Sequence, residues 1–374
     1  MKKPVLLSSF LMVLLSFLSA ISFCQSTYKG YPLLKAKTVS ANYRIGSDWY
    51  KDSWTISPQI QADSLMVQCH SNNETFAFYT DRDSISIELK PGKVHQFYVS
   101  VNDTAYALTV VKGIKPPRND LRFDTKAKDA KLKFWYEQNN NNAYLNLLRS
   151  KYPIDNLIKD AKTDTEKAFK ILKWVHNQWQ HNGDNEPKKS DAISILEEVK
   201  TGKRFRCVEY GIVTTACLNA VGLKARVLRL KTKDVETTPY GAGHVLLEVF
   251  LNDLKKWVIM DGQWDVMPVL NNVPLNAVEF QKAITTNYDK LEIRSSSGVT
   301  KRAYTEWIYP YLYYFDASFD NREGTDFDRN KNNDKKSLML VPLGARNPTI
   351  FQIKQKIDNC IYTNSISDFY AKPE

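Results

Sequence analysis

One cysteine of the chain stands where a protein would activate a nucleophile. Cys207 lies near the start of a predicted helix over residues 206–221, which stops at Gly222, a typical C-terminal signal. Arg204 and Arg206 come just before it. A helix N-terminus and nearby cations both favour thiolate over thiol, and the thiolate is the reactive form of cysteine. A buried, inert thiol is the alternative, and a basic partner within hydrogen-bond reach would favour the nucleophile.

A histidine and an aspartate on two predicted strands can supply that partner. His244 opens one strand and Asp261 ends the next. If the strands pair symmetrically about a turn at residues 252–253, His244 faces Asp261 across the ladder, with Cβ atoms roughly 5 Å apart. A carboxylate in that position orients a histidine for general-base chemistry. A bulge or a register shift of one residue would break the pairing.

The sequence contains few further cysteines and histidines from which a metal site or a second thiol site could be built. The sequence contains 5 Cys and 5 His, so few metal or thiol sites can be built from it. Cys217 is predicted to be a core residue, and a single Cys69–Cys360 bridge stays open as an alternative. The polar run 326–334 lacks the Gly and Glu of an EF-hand loop. We expect no metal and no cofactor.

Length and composition indicate a globular protein of two or three domains. The chain has 374 residues, of which 43% are hydrophobic and 25% charged, which excludes a disordered chain, a coiled coil and a collagen-like rod. The net charge is +11, but basic residues are spread along the chain and mixed with acids. This pattern favours a solvated surface, and we expect no nucleic-acid partner.

The N-terminus resembles an export signal. Lys2 and Lys3 precede an apolar stretch, and small residues near Cys24 suit a cleavage site, so residues 1–24 are predicted to be a signal peptide. The protein is therefore expected in the periplasm or outside the cell. Two alternatives stay open: the segment is retained as a membrane anchor, or Cys24 is lipidated. Membrane contact is expected only in those two cases.

The elements that must position these residues fall into three segments. Short β-type runs separated by turn residues predict a small β-sandwich over 28–113. A core follows over 120–300, with helices predicted over 163–179, 190–200 and 206–221, and strands over 224–230, 243–251 and 256–261. An aromatic-rich extension, 301–374, is predicted to pack on that core, and the alternating tyrosines at 309–313 predict a half-buried strand. The fold class is therefore α+β.

Residues 168–265 resemble the transglutaminase-like superfamily, a branch of the papain-like cysteine enzymes. The motifs occur in the order of that family: Phe205-Arg206-Cys207, Gly222-Leu223-Lys224-Ala225-Arg226, Gly243-His244 and Trp257-Val258-Ile259-Met260-Asp261. The resemblance implies a papain-like core in which Cys207 is the nucleophile, His244 the base and Asp261 its orienting carboxylate. It also implies that the indole N–H of Trp179 and the backbone N–H of Cys207 stabilise the oxyanion.

The sequence thus predicts an exported thiol-dependent acyl-transfer enzyme that hydrolyses peptide or side-chain amide bonds. Its partner would be a protein or peptide-like substrate, with Gln263 and Trp264 lining the site or, alternatively, only packing in the loop. One alternative function is a non-catalytic binding or surface-assembly module. Another is a true transglutaminase that joins glutamine to amines, although Val208 stands where the animal enzymes carry Trp. The sequence leaves the oligomeric state open.

Overall fold

The computed structural model describes residues 26–71, 73–116, 118–126, 132–137, 142–324 and 329–373. The predicted signal peptide, 1–24, lies outside the described residues. The chain divides into two compact units, residues 1–116 and 117–374. No helix among the described residues is long and apolar enough to cross a membrane.

The first unit is built from strands only, in two sheets. The strands are β1 Thr27–Tyr28, β2 Tyr31–Ala36, β3 Ser40–Ile45, β4 Asp48–Thr55, β5 Asp63–Gln68, β6 Glu74–Tyr79, β7 Ser84–Leu89, β8 Val94–Val101 and β9 Ala105–Ile114. One sheet has the order β1-β2-β8-β9-β5 and the other β4-β3-β6-β7. Apolar side chains from both sheets, among them Phe76, Phe78 and Phe97, form one shared core. An all-β unit thus precedes the mixed core, as predicted.

Five helices open the second unit. They are α1 Ala143–Lys151, α2 Ile154–Ile158, α3 Asp164–His176, α4 Ala192–Lys200 and α5 Cys207–Ala220. The Thr163 hydroxyl caps α3 by accepting from Glu166 N at 3.1 Å, and Asp191 caps α4 through Ser194 N. Helix α5 packs inside the unit, since almost every residue from Glu209 onwards is buried.

A six-stranded sheet carries the rest of the second unit. Its strands are β10 Lys224–Lys231, β11 Gly243–Leu251, β12 Lys256–Met260, β16 Tyr314–Ser318, β17 Ser337–Leu340 and β20 Cys360–Thr363, in the order β12-β11-β10-β16-β17-β20. All neighbours are antiparallel except β17 and β20. The segment predicted to pack on the core as an extension therefore supplies three strands of the core sheet itself.

Shorter elements complete the unit. They are β13 Met267–Leu270, β14 Val273–Pro274, β15 Leu291–Arg294, β18 Ile350–Phe351, β19 Gln355–Lys356, α6 Ala277–Thr286, α7 Lys301–Ile308, α8 Ile366–Phe369 and two 3-10 turns, Tyr288–Lys290 and Tyr309–Tyr311. The predicted strand at 309–313 is wrong: Pro310 lies in the 3-10 turn that follows α7, and the strand begins only at Tyr314. The aromatic side chains of this stretch thereby come from a helix and a turn.

The sheet separates two apolar cores, because successive side chains of a strand point to opposite faces. Leu247, Val249 and Leu251 of β11 pack with helices α1 and α3 to α5. Leu246 packs on the other side with residues of α6 and α7. The unit is therefore a sheet with helices on both faces, and the mixed α+β class predicted for the chain is confirmed.

Candidate active site

Cys207 is the first residue of α5 and is partly exposed. Arg206 stands at the N-cap position of the helix, where its backbone N–H donates to Glu209 Oε2 at 3.0 Å and its guanidinium Nη2 donates to Oε1 at 2.9 Å. Glu186 binds the same guanidinium. The positive charge of Arg206 is thus taken up by two carboxylates, which corrects the expectation that it favours the thiolate directly. The helix N-terminus remains as one source of positive potential at Cys207.

His244 and Asp261 lie together in the interior. His244 Nε2 is 2.8 Å from Asp261 Oδ2, and both side chains are at most 3% exposed. The direct pairing predicted for them is wrong, because strands β11 and β12 pair from Leu251–Lys256 only as far as Leu247–Met260. A four-residue turn, 252–255, replaces the predicted two-residue turn and shifts the register by two residues. An even shift keeps every side chain on its face, so the two groups still meet.

The second imidazole nitrogen remains for Cys207. Because Nε2 of His244 is taken by Asp261, Nδ1 is the nitrogen that can bond to the thiol. Burial alone would lower the pKa of His244, but the Asp261 carboxylate and a hydrogen bond with Cys207 raise it to about 9. The imidazole is therefore charged over most of the neutral range, which is the state that pairs with a thiolate.

Four donors hold the carboxylate of Asp261 in place. Oδ1 accepts from the backbone N–H groups of Gln263 at 3.0 Å and Trp264 at 3.2 Å, and Oδ2 accepts from Tyr304 Oη at 3.0 Å in addition to His244. Burial and the neighbouring Asp261 raise the pKa of Tyr304 far above its usual value, so its hydroxyl stays a donor. Nothing in the spacing of the sequence connects Tyr304 with this group. That Gln263 and Trp264 also bind substrate stays a prediction.

Aromatic rings shield the pair of His244 and Asp261. The Trp307 ring meets the His244 ring edge-on, with centroids 4.8 Å apart and planes at 80°, and Tyr311 lies at 5.9 Å. Trp264 packs on Trp307 at 4.9 Å. Keeping water away from a charged hydrogen-bonded pair strengthens its electrostatic attraction.

Trp179 packs against the first turn of α5. Its ring stacks on Tyr210 with centroids 4.2 Å apart and planes at 27°, and Tyr210 Oη donates to the Trp179 carbonyl at 2.6 Å. The side chain is buried, and among the described residues its Nε1–H has no hydrogen-bond partner. Buried donors are normally hydrogen-bonded, so an unpaired donor in a ring that packs on the first turn of α5 suits a group that bonds to a ligand. Its part in an oxyanion hole stays a prediction.

The other described cysteines are buried. Cys69, Cys217 and Cys360 form no disulfide in the part of the chain that the structure describes, so the alternative of a Cys69–Cys360 bridge is wrong. Burial raises the pKa of Cys217 and of Cys360. Cys217 is a core residue, as predicted. In the part of the chain that the structure describes, no cluster of three or more His, Cys, Asp or Glu side chains could hold a metal ion.

A cavity of about 390 Å³ opens beside Cys207. The start of α5 and strands β10, β11 and β16 form part of its lining, and the β18–β19 hairpin with the residues after it forms another part. Gly243 lets the hairpin come close, since a Cβ there would lie 3.0 Å from the ring of Phe351. The candidate nucleophile and His244 thus line a space large enough for part of a peptide.

Part of the chain is similar in sequence to a known family. The family model described as "Transglutaminase-like superfamily" matches residues 154–262, which contain Cys207, His244 and Asp261. No curated protein matches the chain by sequence.

Solved structures are similar to parts of the chain at low sequence identity. A candidate cysteine protease from Cytophaga hutchinsonii is 11% identical, with 70% of this chain and 82% of that chain covered and a TM-score of 0.27. A candidate protease from Parabacteroides distasonis is 14% identical, with 44% and 40% covered and a TM-score of 0.22. The transglutaminase of red sea bream is 11% identical, with 52% and 38% covered and a TM-score of 0.23. The helical segment and strands that carry the candidate site, residues 154–262, thus match the transglutaminase-like superfamily in sequence.

Proposed function

We propose that the chain is a thiol-dependent acyl-transfer enzyme that hydrolyses peptide or side-chain amide bonds. The observation that carries the proposal is the 2.8 Å bond between His244 Nε2 and Asp261 Oδ2, which leaves Nδ1 for Cys207 at the start of α5. This is the constellation of a nucleophile, a base and an orienting carboxylate.

The first half of the reaction uses the charged pair. The Cys207 thiolate attacks the carbonyl carbon of the amide, and the C=O electron pair moves to the oxygen. When the tetrahedral intermediate collapses, His244 gives its Nδ1 proton to the leaving amine, and a thioester to Cys207 remains. Asp261 keeps the imidazole in orientation through Nε2 during the transfer.

The second half returns the enzyme to its resting state. Neutral His244 takes a proton from water, the hydroxide attacks the thioester, and the acid leaves while Cys207 departs as thiolate. The backbone N–H of Cys207 and Nε1–H of Trp179 are the donors for the oxyanion in both halves, which is supported by the idle indole N–H.

Hydrolysis and transfer differ in the group that attacks the thioester. A true transglutaminase would admit an amine in place of water and join glutamine side chains to it. A non-catalytic module would keep the same residues without turning over a substrate. We propose hydrolysis, in an exported protein, and treat the other two as outcomes of the test.

The test measures the rate of Cys207 alkylation by iodoacetamide as a function of pH, using the protein without residues 1–24. Peptide mass spectrometry separates Cys207 from the buried thiols of Cys69, Cys217 and Cys360, which serve as internal controls. His244→Ala and Asp261→Asn are compared with the parent. We expect rapid labelling of Cys207 below pH 7 that is lost in His244→Ala.

Turnover is then assayed with peptide and glutamine-amide substrates, with and without added primary amine. Release of amine or ammonia without incorporation of the added amine supports hydrolysis. Incorporation of the amine supports the transglutaminase alternative. If Cys207 reacts no faster than the three buried thiols, the proposal is wrong and the binding-module alternative stands.

A further inference from the structure

The cavity beside Cys207 carries more positive than negative charge. Besides the catalytic residues, its charged lining side chains are Arg229, Lys231, Lys356 and Asp316. Lys231 Nζ lies 2.9 Å from Asp316 Oδ2, and both side chains are nearly buried, so these two charges neutralise one another. Arg229 lies 3.9 Å from the same carboxylate, so one anion faces three cations and the cavity lining keeps a net positive charge.

The Arg229 guanidinium is held in place by one hydrogen bond and keeps N–H groups that make none among the described residues. It lies on β10 opposite Val245, the residue that follows His244 on β11. Its Nη2 donates to Ser318 Oγ at 2.9 Å, while Nη1 is 3.9 Å from Asp316 Oδ1, which is too far for a hydrogen bond. Its side chain is 40% exposed. A guanidinium anchored at one nitrogen can offer its other N–H groups to a ligand in the cavity.

Lys356 reaches the cavity from the β18–β19 hairpin. It is exposed and forms no ion pair with the described residues. The hairpin itself is fixed: Gln352 N donates to the Val235 carbonyl at 2.8 Å, and Ala242 N donates to Gln352 Oε1 at 2.9 Å. Arg229 and Lys356 thus come from rigid elements, the core sheet and an anchored hairpin.

We propose that the substrate of this site carries a carboxylate next to the scissile amide, bound by Arg229 with the help of Lys356. This inference rests on the proposed function and names its substrate class. A guanidinium matches a carboxylate in a two-pronged hydrogen bond, and a lysine adds a flexible point charge. The carboxylate comes from an acidic side chain or from a free C-terminus beside the scissile bond.

The first experiment uses two alkylating agents of similar size and different charge. Iodoacetate and iodoacetamide both form a bond to the Cys207 sulfur and release iodide, so neither needs a substrate. The ratio of their rate constants, divided by the same ratio for 2-mercaptoethanol, reports the potential at the thiolate. We expect Arg229→Gln and Lys356→Gln each to lower this normalised ratio about three- to tenfold at low salt.

The matched control is Lys354→Gln. Lys354 belongs to the same hairpin and is exposed, but it does not line the cavity. We expect it to leave the ratio unchanged, because a solvated charge outside the cavity is screened. If Arg229→Gln folds poorly, Lys356→Gln, which changes an exposed hairpin residue, should still fold normally. Lys356→Gln therefore tests the proposal even where Arg229→Gln is misfolded. A ratio of two rates on the same protein sample also cancels any inactive fraction.

The second experiment identifies the source of the carboxylate. Peptides differing only by Glu or Gln next to the scissile amide are compared, and so are peptides ending in a free acid or an amide. We expect kcat/KM to favour the acid in one of the two pairs at least tenfold, and Lys356→Glu to reverse much of that preference. The peptide pair in which the acid is preferred identifies the source of the carboxylate, an acidic side chain or a free C-terminus.

The outcomes separate the two proposals. If Cys207 is unreactive, the proposed function fails and this inference with it. If Cys207 reacts rapidly but the normalised ratio is the same in the parent, Arg229→Gln and Lys356→Gln, the enzyme proposal stands and the carboxylate inference is overturned. Equal kcat/KM values within both peptide pairs would overturn it as well.

Discussion

The Tyr304 hydroxyl donates a 3.0 Å hydrogen bond to Oδ2 of Asp261, the oxygen that also bonds to His244. Tyr304 comes from α7, a helix outside the matched family segment, and it is 1% exposed. It acts on the reaction through Asp261 and is therefore a positioning residue. Its ring stacks on Phe280 at a centroid distance of 6.0 Å, so the hydroxyl can be removed while the packing is kept.

We expect Tyr304→Phe to lower the free energy of unfolding by about 1.5–3 kcal/mol, the usual range for a hydrogen bond to a charged group. With one donor fewer, Asp261 interacts more strongly with His244, so the pKa of the imidazole rises. The alkaline limb of the rate profile then moves to higher pH. Urea unfolding and the pH dependence of kcat/KM measure the two effects.

Tyr314→Phe is the control for this prediction. Tyr314 is also buried, and its hydroxyl donates to the Arg346 carbonyl at 3.0 Å, away from Asp261. It should lose stability without a change in the pH profile. If Tyr304→Phe likewise leaves the profile unmoved, its hydroxyl has only a structural part.

The pKa of His244 predicts an upper pH limit for activity. Burial opposes the charge of the imidazole, but Asp261 and Cys207 raise its pKa from 6.5 to about 9. Hydrolysis needs the imidazolium to protonate the leaving amine, so kcat/KM should fall as the pH passes about 9. In Asp261→Asn, burial acts without the carboxylate, and the limb should move to well below pH 9. Asp289→Asn, a change at an exposed aspartate, should leave the profile as it is.

The same shift predicts how stability depends on pH. A histidine whose pKa is raised on folding stabilises the folded state fully below its unfolded pKa, near 6.5, and this contribution is lost as the pH rises through its folded pKa, near 9. The loss is on the order of 3 kcal/mol for a shift of this size. Urea unfolding at pH 6 and pH 10 should show a larger decrease for the parent than for His244→Ala. Equal decreases would contradict the raised pKa.

Trp179→Phe tests the idle indole donor. The change keeps a ring on Tyr210 and breaks no hydrogen bond of Nε1 among the described residues, so only the smaller volume of the buried ring should lower stability. We expect kcat to fall about 10²–10³-fold, the usual effect of removing one oxyanion donor. Alkylation of Cys207 should stay at the parent rate, because it passes through no oxyanion. An unchanged kcat would remove Trp179 from the oxyanion hole.

How far the sequence predicts this site depends on the distance between the residues along the chain. His244 and Asp261 lie in one hairpin, so the alternation of side chains along its strands is enough to place them on the same face. That placement holds although the predicted register is wrong by two residues. Strand β16 lies far from its partner β10 in sequence, and no local pattern indicates that pairing. Tyr304 could not be found for the same reason: helical spacing marks its apolar face but not the carboxylate it meets.

The close approach of Phe351 to Gly243 gives a prediction about the cavity wall. A Cβ at position 243 would lie 3.0 Å from two atoms of the Phe351 ring, so in Gly243→Ala we expect this ring to shift by a few tenths of an ångström and the β18–β19 hairpin to move with it. Overpacking of this kind costs about 1–3 kcal/mol. Because the hairpin lines the cavity, we expect KM to rise more than kcat falls.

Phe351→Leu in the same chain should relieve the clash and restore part of the affinity, which a simple loss of folding would not allow. The rate of Cys207 alkylation by iodoacetamide should meanwhile stay near that of the parent, since the His244–Asp261 pair is untouched. The pattern of a raised KM, a preserved thiol reactivity and a rescue by the second change would assign the hairpin to substrate binding. If Gly243→Ala instead lowers kcat and thiol reactivity together, the displaced element is the strand that carries His244, and the hairpin has no separate part in binding.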